Sequence, residues 1–245
     1  MGQGSRVSGN LLHDNTNDLM VEMNHGPMLV DNNLFLSNHG LLDASGGGAY
    51  VHNLFKGSVT VWTDNLLPRH TPFFEAHSTV VTGPEGANTL AEKIYGITVD
   101  QNDDRFYNNL ILSKNFLLPY EENNYKVKAN GNVYLSKSKP LAQEANAIVI
   151  NDFKSGLKLE KKADGWWLEM NTDPAWQETS RILITTELLG RSSVTSSLFE
   201  NREGLPYIID TDYFGGKRNE NNLSAGPLSD VSTGKVSVKV WPRGK

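Results

Sequence analysis

Short apolar runs at nearly regular intervals, rather than long amphipathic helices, organise the first half of the chain. An Asn followed by Leu or Val and then by a large apolar residue occurs five times, at Asn10, Asn33, Asn53, Asn109 and Asn132. The intervals between these Asn residues are 23, 20, 56 and 23 residues. A repeat of about 20–23 residues is typical of a solenoid, in which each repeat adds one turn of chain.

The repeat favours a parallel β-helix. Leucine-rich repeats have a similar length, but they need several spaced leucines per unit, which are missing here. In a parallel β-helix, equivalent residues stack at the strand spacing of about 4.8 Å. The Asn side chains would then bond along one ladder, and the aliphatic residues after them would fill a dry interior. We therefore predict an all-β chain whose residues 1–144 form parallel β-helix turns.

The 56-residue interval contains one turn and a long insertion. The excess covers about residues 62–103 and contains Pro68, Pro72 and Pro84. Long excursions from a solenoid gather on one face, often the binding face. We expect this loop excursion to border the functional site.

After residue 145 the repeat gives way to short alternating strand patterns: AIVIND, LKLEKK, WWLEM, RILITTEL, YIIDTDYF and KVSVKVW. Turn signals such as DG, EG and TG separate them. Strands of this length and spacing predict an antiparallel, sandwich-like region over residues 145–245. For Trp166, Trp167 and Trp176 we favour packing in the core of this region over stacking on a sugar.

Composition narrows the function classes. The 245 residues include 25 Asn and 22 Gly, which suit tight turns, and no Cys. The net charge of −5 and the pI of about 5.7 argue against nucleic acid as a partner. No apolar run approaches about 18 residues, so no transmembrane helix is expected. The lack of Cys excludes disulfides, thiol nucleophiles and Cys-ligated metals, and it does not assign a compartment.

One strand carries a candidate catalytic group. Residues 18–25, DLMVEMNH, alternate between apolar and polar side chains after Asp18. Every second residue from Leu19 onward is expected to face the dry interior. Glu22 and Asn24 then project from the outer face, and His25 lies at the following turn. Asn24 and His25 are candidates for binding substrate hydroxyls or orienting the Glu22 carboxylate.

A second carboxylate is expected beside the first. Glu22 lies 11 residues before Asn33, and Asp43 lies 10 residues before Asn53. We therefore predict that the two acids stack on the outer face, one turn apart. Such a pair suits retaining glycoside hydrolysis, in which the carboxyl groups are about 5–5.5 Å apart. A solvated acidic face is the alternative.

The insertion adds candidate substrate-binding groups. Arg69, His70 and His77 lie there among aromatic residues, and Arg and His donate hydrogen bonds to sugar hydroxyls. Metal binding by the two His residues is a weak alternative, because no HExxH motif is present. Asp100, Asp103 and Asp104 offer oxygen ligands, but no calcium cage is evident. No cofactor is therefore expected.

Several segments resemble glycoside hydrolase family 120. They are GSRVSGNLLHDN, DLMVEMNHGPMLVDNNLFLS, GGGAYVHNLF, RHTPFFEAHST and DDRFYNNLILS, and the likeness continues more loosely in FENREGLPYIIDTDYFGG. The resemblance implies a β-xylosidase with a right-handed parallel β-helix and a flanking β-sandwich region. It also implies a retaining mechanism with an Asp nucleophile and a Glu general acid/base, which corresponds to Glu22 in VEMNHGP.

The nucleophile of the family has no counterpart in this sequence. In the family it lies just before the stretch that MGQGSRVSGN resembles, about two residues upstream of Met1. The resemblance therefore implies a chain that lacks its first turns and one catalytic carboxylate. Cutting a β-helix would leave an open strand edge near residues 4–12, which favours pairing with a second copy.

Two other functions remain open. A non-catalytic β-helix module that binds carbohydrate or protein would have the same repeat. A polysaccharide lyase of this fold usually needs a basic catalytic residue and often calcium, and ranks last. The expected partner is a xylo-oligosaccharide or another pentoside.

Overall fold

The computed structural model describes residues 4–22, 24, 26–61, 103–122, 125–177, 181–193, 195–220, 223–229 and 231–244. Within these ranges the protein is mostly strand, with two short α-helices and one turn of 3₁₀-helix. The expectation of an all-β chain is confirmed. No helix in the described part is long and apolar enough to cross a membrane.

Three parallel sheets form the first part of the chain. Sheet 1 contains β1 (Ser5–Ser8), β4 (Met28–Asp31), β7 (Gly48–Val51), β10 (Asp104–Tyr107) and β12 (Val127–Asn130). Sheet 2 contains β2 (Leu11–Leu12), β5 (Leu34–Phe35), β8 (Leu54–Phe55), β11 (Leu110–Ile111), β13 (Val133–Leu135) and β14 (Ile148–Ile150). Sheet 3 contains β3 (Leu19–Glu22), β6 (His39–Ala44) and β9 (Ser58–Val61). From β1 to β9 the chain passes through sheets 1, 2 and 3 in that order, three times.

Antiparallel strands follow. One sheet contains β15 (Lys158–Lys162), β16 (Gly165–Thr172) and β19 (Gly234–Trp241), and a smaller one contains β17 (Ile184–Thr185) and β18 (Ile208–Ile209). The helices are α1 (Leu118–Glu122), α2 (Thr186–Leu189) and the 3₁₀ turn Pro174–Gln177. One strand departs from the prediction, because β14 pairs with β13 in parallel and extends sheet 2. The division at residues 144 and 145 stays a prediction.

The predicted Asn ladder is confirmed. The backbone N–H of each ladder Asn donates to the side-chain oxygen of the next one, at 3.0, 2.9, 2.9 and 2.8 Å from Asn10 to Asn132. The amide nitrogens of the four later members donate to backbone carbonyls inside the turns. These four side chains are fully buried. The ladder therefore satisfies backbone groups at a corner that water does not reach.

The residue before each ladder Asn helps to explain why the sequence is rich in Gly and Asn. Gly9, Asn32, His52, Asn108 and Gly131 all have positive φ, between 53° and 68°. Gly and Asn adopt this left-handed conformation at lower cost than other residues do. Each turn therefore places a residue that tolerates positive φ directly before an Asn.

Two of the three sheets are covered on their outer faces. The outer side chains of sheet 2, such as Leu54 and Leu110, pack against Leu168, Met170 and other residues of the antiparallel region. Those of sheet 1, such as Leu29, pack against a separate cluster around α2, β17 and β18. The inward-facing side chains of all three sheets form one core, in which the rings of Phe35 and Phe55 stack at 4.8 Å. Among the described residues, no apolar cluster covers the outer face of sheet 3.

Candidate functional site

Glu22 lies on the uncovered outer face of sheet 3. In β3, Leu19 and Val21 pack into the core, while Met20 is 47% exposed and Glu22 is exposed. The predicted alternation is therefore confirmed for these four residues. The described residues therefore leave the Glu22 carboxylate accessible to a ligand.

Asn24 departs from the prediction. It was expected on the outer face, but its side chain is buried, and its Oδ1 accepts a hydrogen bond from the Gly26 N–H at 3.0 Å. Its carbonyl oxygen accepts from the Gly46 N–H at 3.1 Å. The strand has ended at Glu22, so the alternation no longer fixes where Asn24 points. Asn24 shapes the turn after Glu22 and links it to the next turn of chain.

Asp43 also departs from the prediction, because it faces the core. In the parallel pairing of β3 with β6, Val21 is opposite Asp43 and Glu22 is opposite Ala44. A register shift between His39 and Leu41 accompanies this placement in β6. Because strand side chains alternate, an offset of one residue moves a side chain to the opposite face. Glu22 and Asp43 therefore do not form the predicted outer pair.

Asp43 belongs instead to an acidic cluster buried in the core. Asp43 is only 1% exposed, and its Oδ2 accepts a hydrogen bond from the Tyr120 hydroxyl at 2.6 Å. It also hydrogen-bonds with Tyr50 and with the carboxyl group of Asp104. The Oδ1 of Asp104 accepts from the Gly48 N–H at 2.8 Å. Sequence reasoning missed this cluster because its members come from different turns.

Burial sets the charge of the cluster. Loss of solvent raises the pKa of Asp43 to about 6, although hydrogen bonds from Tyr120 and Ser45 oppose the rise. Burial, reinforced by the charge of Asp43, raises the pKa of Asp104 well above its usual range. The pKa values of Tyr50 and Tyr120 are raised by the same causes, so both tyrosines stay neutral donors.

The glycine turn after Glu22 packs directly against the glycine turn of the next turn of chain. A Cβ at Gly26 would lie 2.5 Å from the carbonyl oxygen of Gly47, so only glycine fits there. That carbonyl accepts a hydrogen bond from the Met28 N–H at 3.2 Å. The hydroxyl of Thr195 donates to the carbonyl of Gly26 at 3.2 Å. The turn that follows Glu22 is thus supported by the next turn of chain and by the C-terminal region.

An open groove lies near the first residues of β10 and β12. It has a volume of about 490 Å³ and is lined by Asp103, Tyr125, Lys126, Val127, Lys128, Gln143 and Ser193. These residues lie around the first residues of β10 and β12, at the edge of sheet 1 where the turn after Glu22 enters β4. The groove therefore offers polar side chains and one aromatic ring two or three turns from Glu22.

Asp103 is not available as a simple calcium ligand. Its carboxylate pairs with the buried Arg105 guanidinium at 3.0 Å and accepts from the Ser193 N–H at 2.6 Å. Arg105 in turn donates to the carbonyls of Leu189 and Arg191, both at 2.8 Å. These contacts join β10 to the C-terminal region. Within the ranges that the structure describes, no three His, Asp or Glu side chains form a candidate metal site.

Four predicted binding residues lie outside the described residues: His25, Arg69, His70 and His77. The insertion that carries three of them leaves the described chain after Val61 and rejoins it at Asp103. Val61 ends β9 in sheet 3, and Glu22 ends β3 in the same sheet. Because the strands are parallel in the order β3, β6, β9, the insertion leaves sheet 3 at the same end of the strands as Glu22, two strands away.

The three tryptophans differ in how far they follow the prediction of packing in the core. Trp176 is buried in the core between sheet 2 and the antiparallel region, as expected. Trp166 packs on the edge of this core and contacts the ring of His13 at 4.5 Å between ring centroids. The Trp167 indole N–H donates to Asp164 at 2.9 Å, and the Lys162 ammonium lies over its ring at 4.6 Å.

Comparison with known proteins agrees with the fold. The chain is similar to the solved structure of XylC in complex with xylose, with a TM-score of 0.75 and 24% sequence identity. The similarity covers 98% of this chain and 40% of the XylC chain, so this chain spans less than half the length of that protein. No family model and no curated protein matches the sequence. The likeness shows a shared fold.

Proposed function

We propose that this protein belongs to a retaining glycoside hydrolase of the β-xylosidase type, acting on β-xylosides or xylo-oligosaccharides, with Glu22 as the general acid/base. The observation that carries the proposal is the exposed position of Glu22 on the outer face of sheet 3, which no apolar cluster of the described residues covers. The shared fold with a protein solved with bound xylose supports a sugar as the ligand.

The proposed scaffold is a right-handed parallel β-helix. Its support is the passage of the chain through three parallel sheets in a fixed order, with equivalent residues in one Asn ladder. In such a scaffold, side chains on successive turns lie about 4.8 Å apart. This spacing is close to the carboxyl separation of about 5–5.5 Å in retaining glycosidases.

The second carboxylate is not Asp43, since that residue is buried and bonded inside the core. Among the described strands, β3 is an edge strand of sheet 3: β6 pairs with it on one side, and no described strand pairs with it on the other. A carboxylate on a segment that pairs with the other side of β3 would lie about one strand spacing from Glu22. We propose that the nucleophile occupies that position.

The groove beyond Glu22 is the proposed place for further sugar units. Its ammonium, amide and hydroxyl groups donate hydrogen bonds to sugar oxygens, and the ring of Tyr125 offers an apolar face. The proposed ligand therefore extends along the edge of the sheets rather than into a closed pocket. Arg69, His70 and His77 remain proposed contacts for sugar hydroxyls, and so does His25.

The test combines binding with catalysis. The affinity for xylose and xylobiose is measured by calorimetry. Hydrolysis of xylobiose and of an activated aryl xyloside is followed for the protein extended by the segment that pairs with the other side of β3, and for the Glu22→Gln and Glu121→Gln variants of this extended protein. Glu121 is an exposed acid on α1 and serves as the matched control. Acid–base assistance is worth about 10²–10⁴-fold. We expect Glu22→Gln to lose this factor on xylobiose and much less on the activated substrate, with azide restoring turnover of the latter.

The outcomes separate the alternatives. Sugar binding without any hydrolysis by the extended protein would favour a non-catalytic binding module, which the absence of the predicted Glu22–Asp43 pair also favours. Release of an unsaturated product from an acidic polysaccharide would indicate a lyase. Full activity of Glu22→Gln on xylobiose would overturn the assignment of Glu22. A chain that neither binds nor cleaves any xyloside would overturn the proposed function.

A further inference from the structure

We propose that Asp43 and Asp104 form a buried pair that shares a proton and positions the Ser45–Gly48 turn against the turn after Glu22, so that loss of the proton loosens the Ser45–Gly48 turn. The buried pair and its effect on stability stand on the geometry alone. The consequence for Glu22 rests on the proposed function.

The pair holds the turn at both ends. The Oδ1 of Asp43 accepts a hydrogen bond from the Ser45 N–H at 3.2 Å, and the Oδ1 of Asp104 accepts from the Gly48 N–H at 2.8 Å. The turn between these points carries Gly46 and Gly47. Both contact the turn that follows Glu22, through the Asn24 carbonyl and the Gly26 backbone. A change at the acid pair therefore reaches the turn after Glu22 through backbone contacts.

The surroundings of the pair leave an added charge uncompensated. The groups that face it are the hydroxyls of Tyr50 from β7 and Tyr120 from α1, and the neighbouring strands present Val21, Val61 and Val127 opposite the two acids. The nearest described cation in sequence, Arg105, projects from the other face of β10 and bonds to Leu189 and Asp103. Asp103 adds a further negative charge near Asp104. A second ionisation would bury two adjacent negative charges without a described counter-ion.

One arrangement of protons satisfies every contact. Asp104 keeps its proton and donates it to Asp43, while Asp43 accepts from Asp104, from both tyrosines and from Ser45. A carboxylate with several donors is tolerated in a core, whereas two unpaired carboxylates are not. The apparent pKa values belong to the pair rather than to either residue alone.

The buried pair makes the folded protein less stable as the pH rises. Both pKa values are raised in the folded protein, so the folded state binds more protons than the unfolded chain does above about pH 4. The stabilisation is complete below that pH and is lost as the pH rises through the folded pKa values. The folding equilibrium constant therefore falls above about pH 4, because the unfolded chain gives up protons that the buried pair retains.

The experiment measures denaturant unfolding of the full chain between about pH 4 and pH 8 for the unmodified protein and four variants. Asp43→Asn, Asp104→Asn and the double variant remove the ionisable groups while keeping their shapes. Glu121→Gln is the control. In the unmodified protein we expect the free energy of unfolding to decline as the pH rises. The double variant should lose the part of this decline that the pair causes, and Glu121→Gln should keep it. An unchanged decline in the double variant overturns the proposal.

Two further measurements do not depend on that variant folding. Infrared difference spectra should show an un-ionised carboxyl band at neutral pH that persists in Asp43→Asn and disappears in Asp104→Asn. Tyr120→Phe removes one donor to Asp43 and should move the midpoint of the stability decline to higher pH. An absent carboxyl band, or a midpoint that Tyr120→Phe leaves in place, counts against the pair.

The effect of the acid pair on the proposed sugar site is tested by measuring the affinity for xylose over the same pH range. We expect affinity to fall with the ionisation of the pair and to become less sensitive to pH in the double variant. If xylose does not bind at any pH while the stability and infrared results hold, the proposed function fails and the buried pair stands. If xylose binds with the same pH dependence in the double variant, the positioning role fails.

Discussion

Glu144 ends the Asn ladder by taking the place of the next Asn. Its Oε1 accepts hydrogen bonds from both the backbone N–H and the side-chain amide of Asn132, at 3.1 and 2.7 Å. Its Oε2 accepts from the Tyr134 hydroxyl at 2.5 Å. The last buried Asn therefore finds the acceptor that a further ladder Asn would otherwise supply, and the ladder ends without an orphaned donor on Asn132.

This contact predicts a stability difference between two substitutions at one position. Glu144→Ala leaves two donors of Asn132 without an acceptor, which costs about 1–3 kcal/mol for each buried group. Glu144→Gln keeps an acceptor and should cost less. Burial raises the pKa of Glu144, so its stabilisation is present at low pH and declines as the pH rises through the folded pKa. Denaturant unfolding of both variants checks the order, and an equal cost would contradict it.

Position within the ladder predicts a second difference. Asn53→Ala removes the acceptor for two donors of Asn33 and the donor to the Val30 carbonyl, all of them buried. We expect a loss on the order of 3 kcal/mol. Asn10, at the other end of the ladder, is exposed, and Asn10→Ala should cost far less. Chemical denaturation measures both, and a similar loss at the two positions would mean that the ladder contributes little.

A third prediction concerns His52, which is fully buried at a left-handed corner. Burial, together with the nearby Arg218 and Arg181, lowers the pKa of its imidazole well below 6.5. The unfolded chain therefore takes up a proton that the folded protein does not, so stability falls as the pH drops below about 6.5. His52→Asn keeps a residue suited to positive φ and should reduce this acid-side loss. Unfolding curves at several acidic pH values test it, and an unchanged loss in the variant refutes it.

The turn after Glu22 gives the fourth prediction. Gly26 and Gly204 both have positive φ, 70° and 76°, but a Cβ would clash with Gly47 only at Gly26, whereas at Gly204 it would meet nothing within 4 Å. Gly204→Ala should cost roughly 1–2 kcal/mol, the backbone penalty alone. Gly26→Ala should cost more, because the neighbouring turn at Gly47 must also move. Unfolding free energies and xylose affinities of the two variants are compared, and equal stability losses would show that the turns do not pack as described.

Much of the fold could be predicted from the order of residues because one physical requirement repeats along the chain. Every turn buries a corner, and each corner needs a residue that tolerates positive φ followed by an Asn that satisfies the backbone. Because of that requirement the Asn pattern recurs at nearly regular intervals in the sequence, and this recurrence located the ladder. The inward and outward sides of β3 followed from strand alternation, which placed Glu22 on an open face.

Other features depended on how the turns stack in three dimensions. The register between β3 and β6 sets Asp43 opposite the inward-facing Val21, and no single-strand pattern reports the register relative to a neighbouring strand. The pairing of Asp43 with Asp104 joins residues of different turns, and Glu144 reaches Asn132 from a distance that matches no repeat. The sequence alone determined which residues each turn must contain, because local backbone conformation and alternation act within a turn. Only the tertiary structure decided which buried groups meet, because those contacts depend on the register between turns.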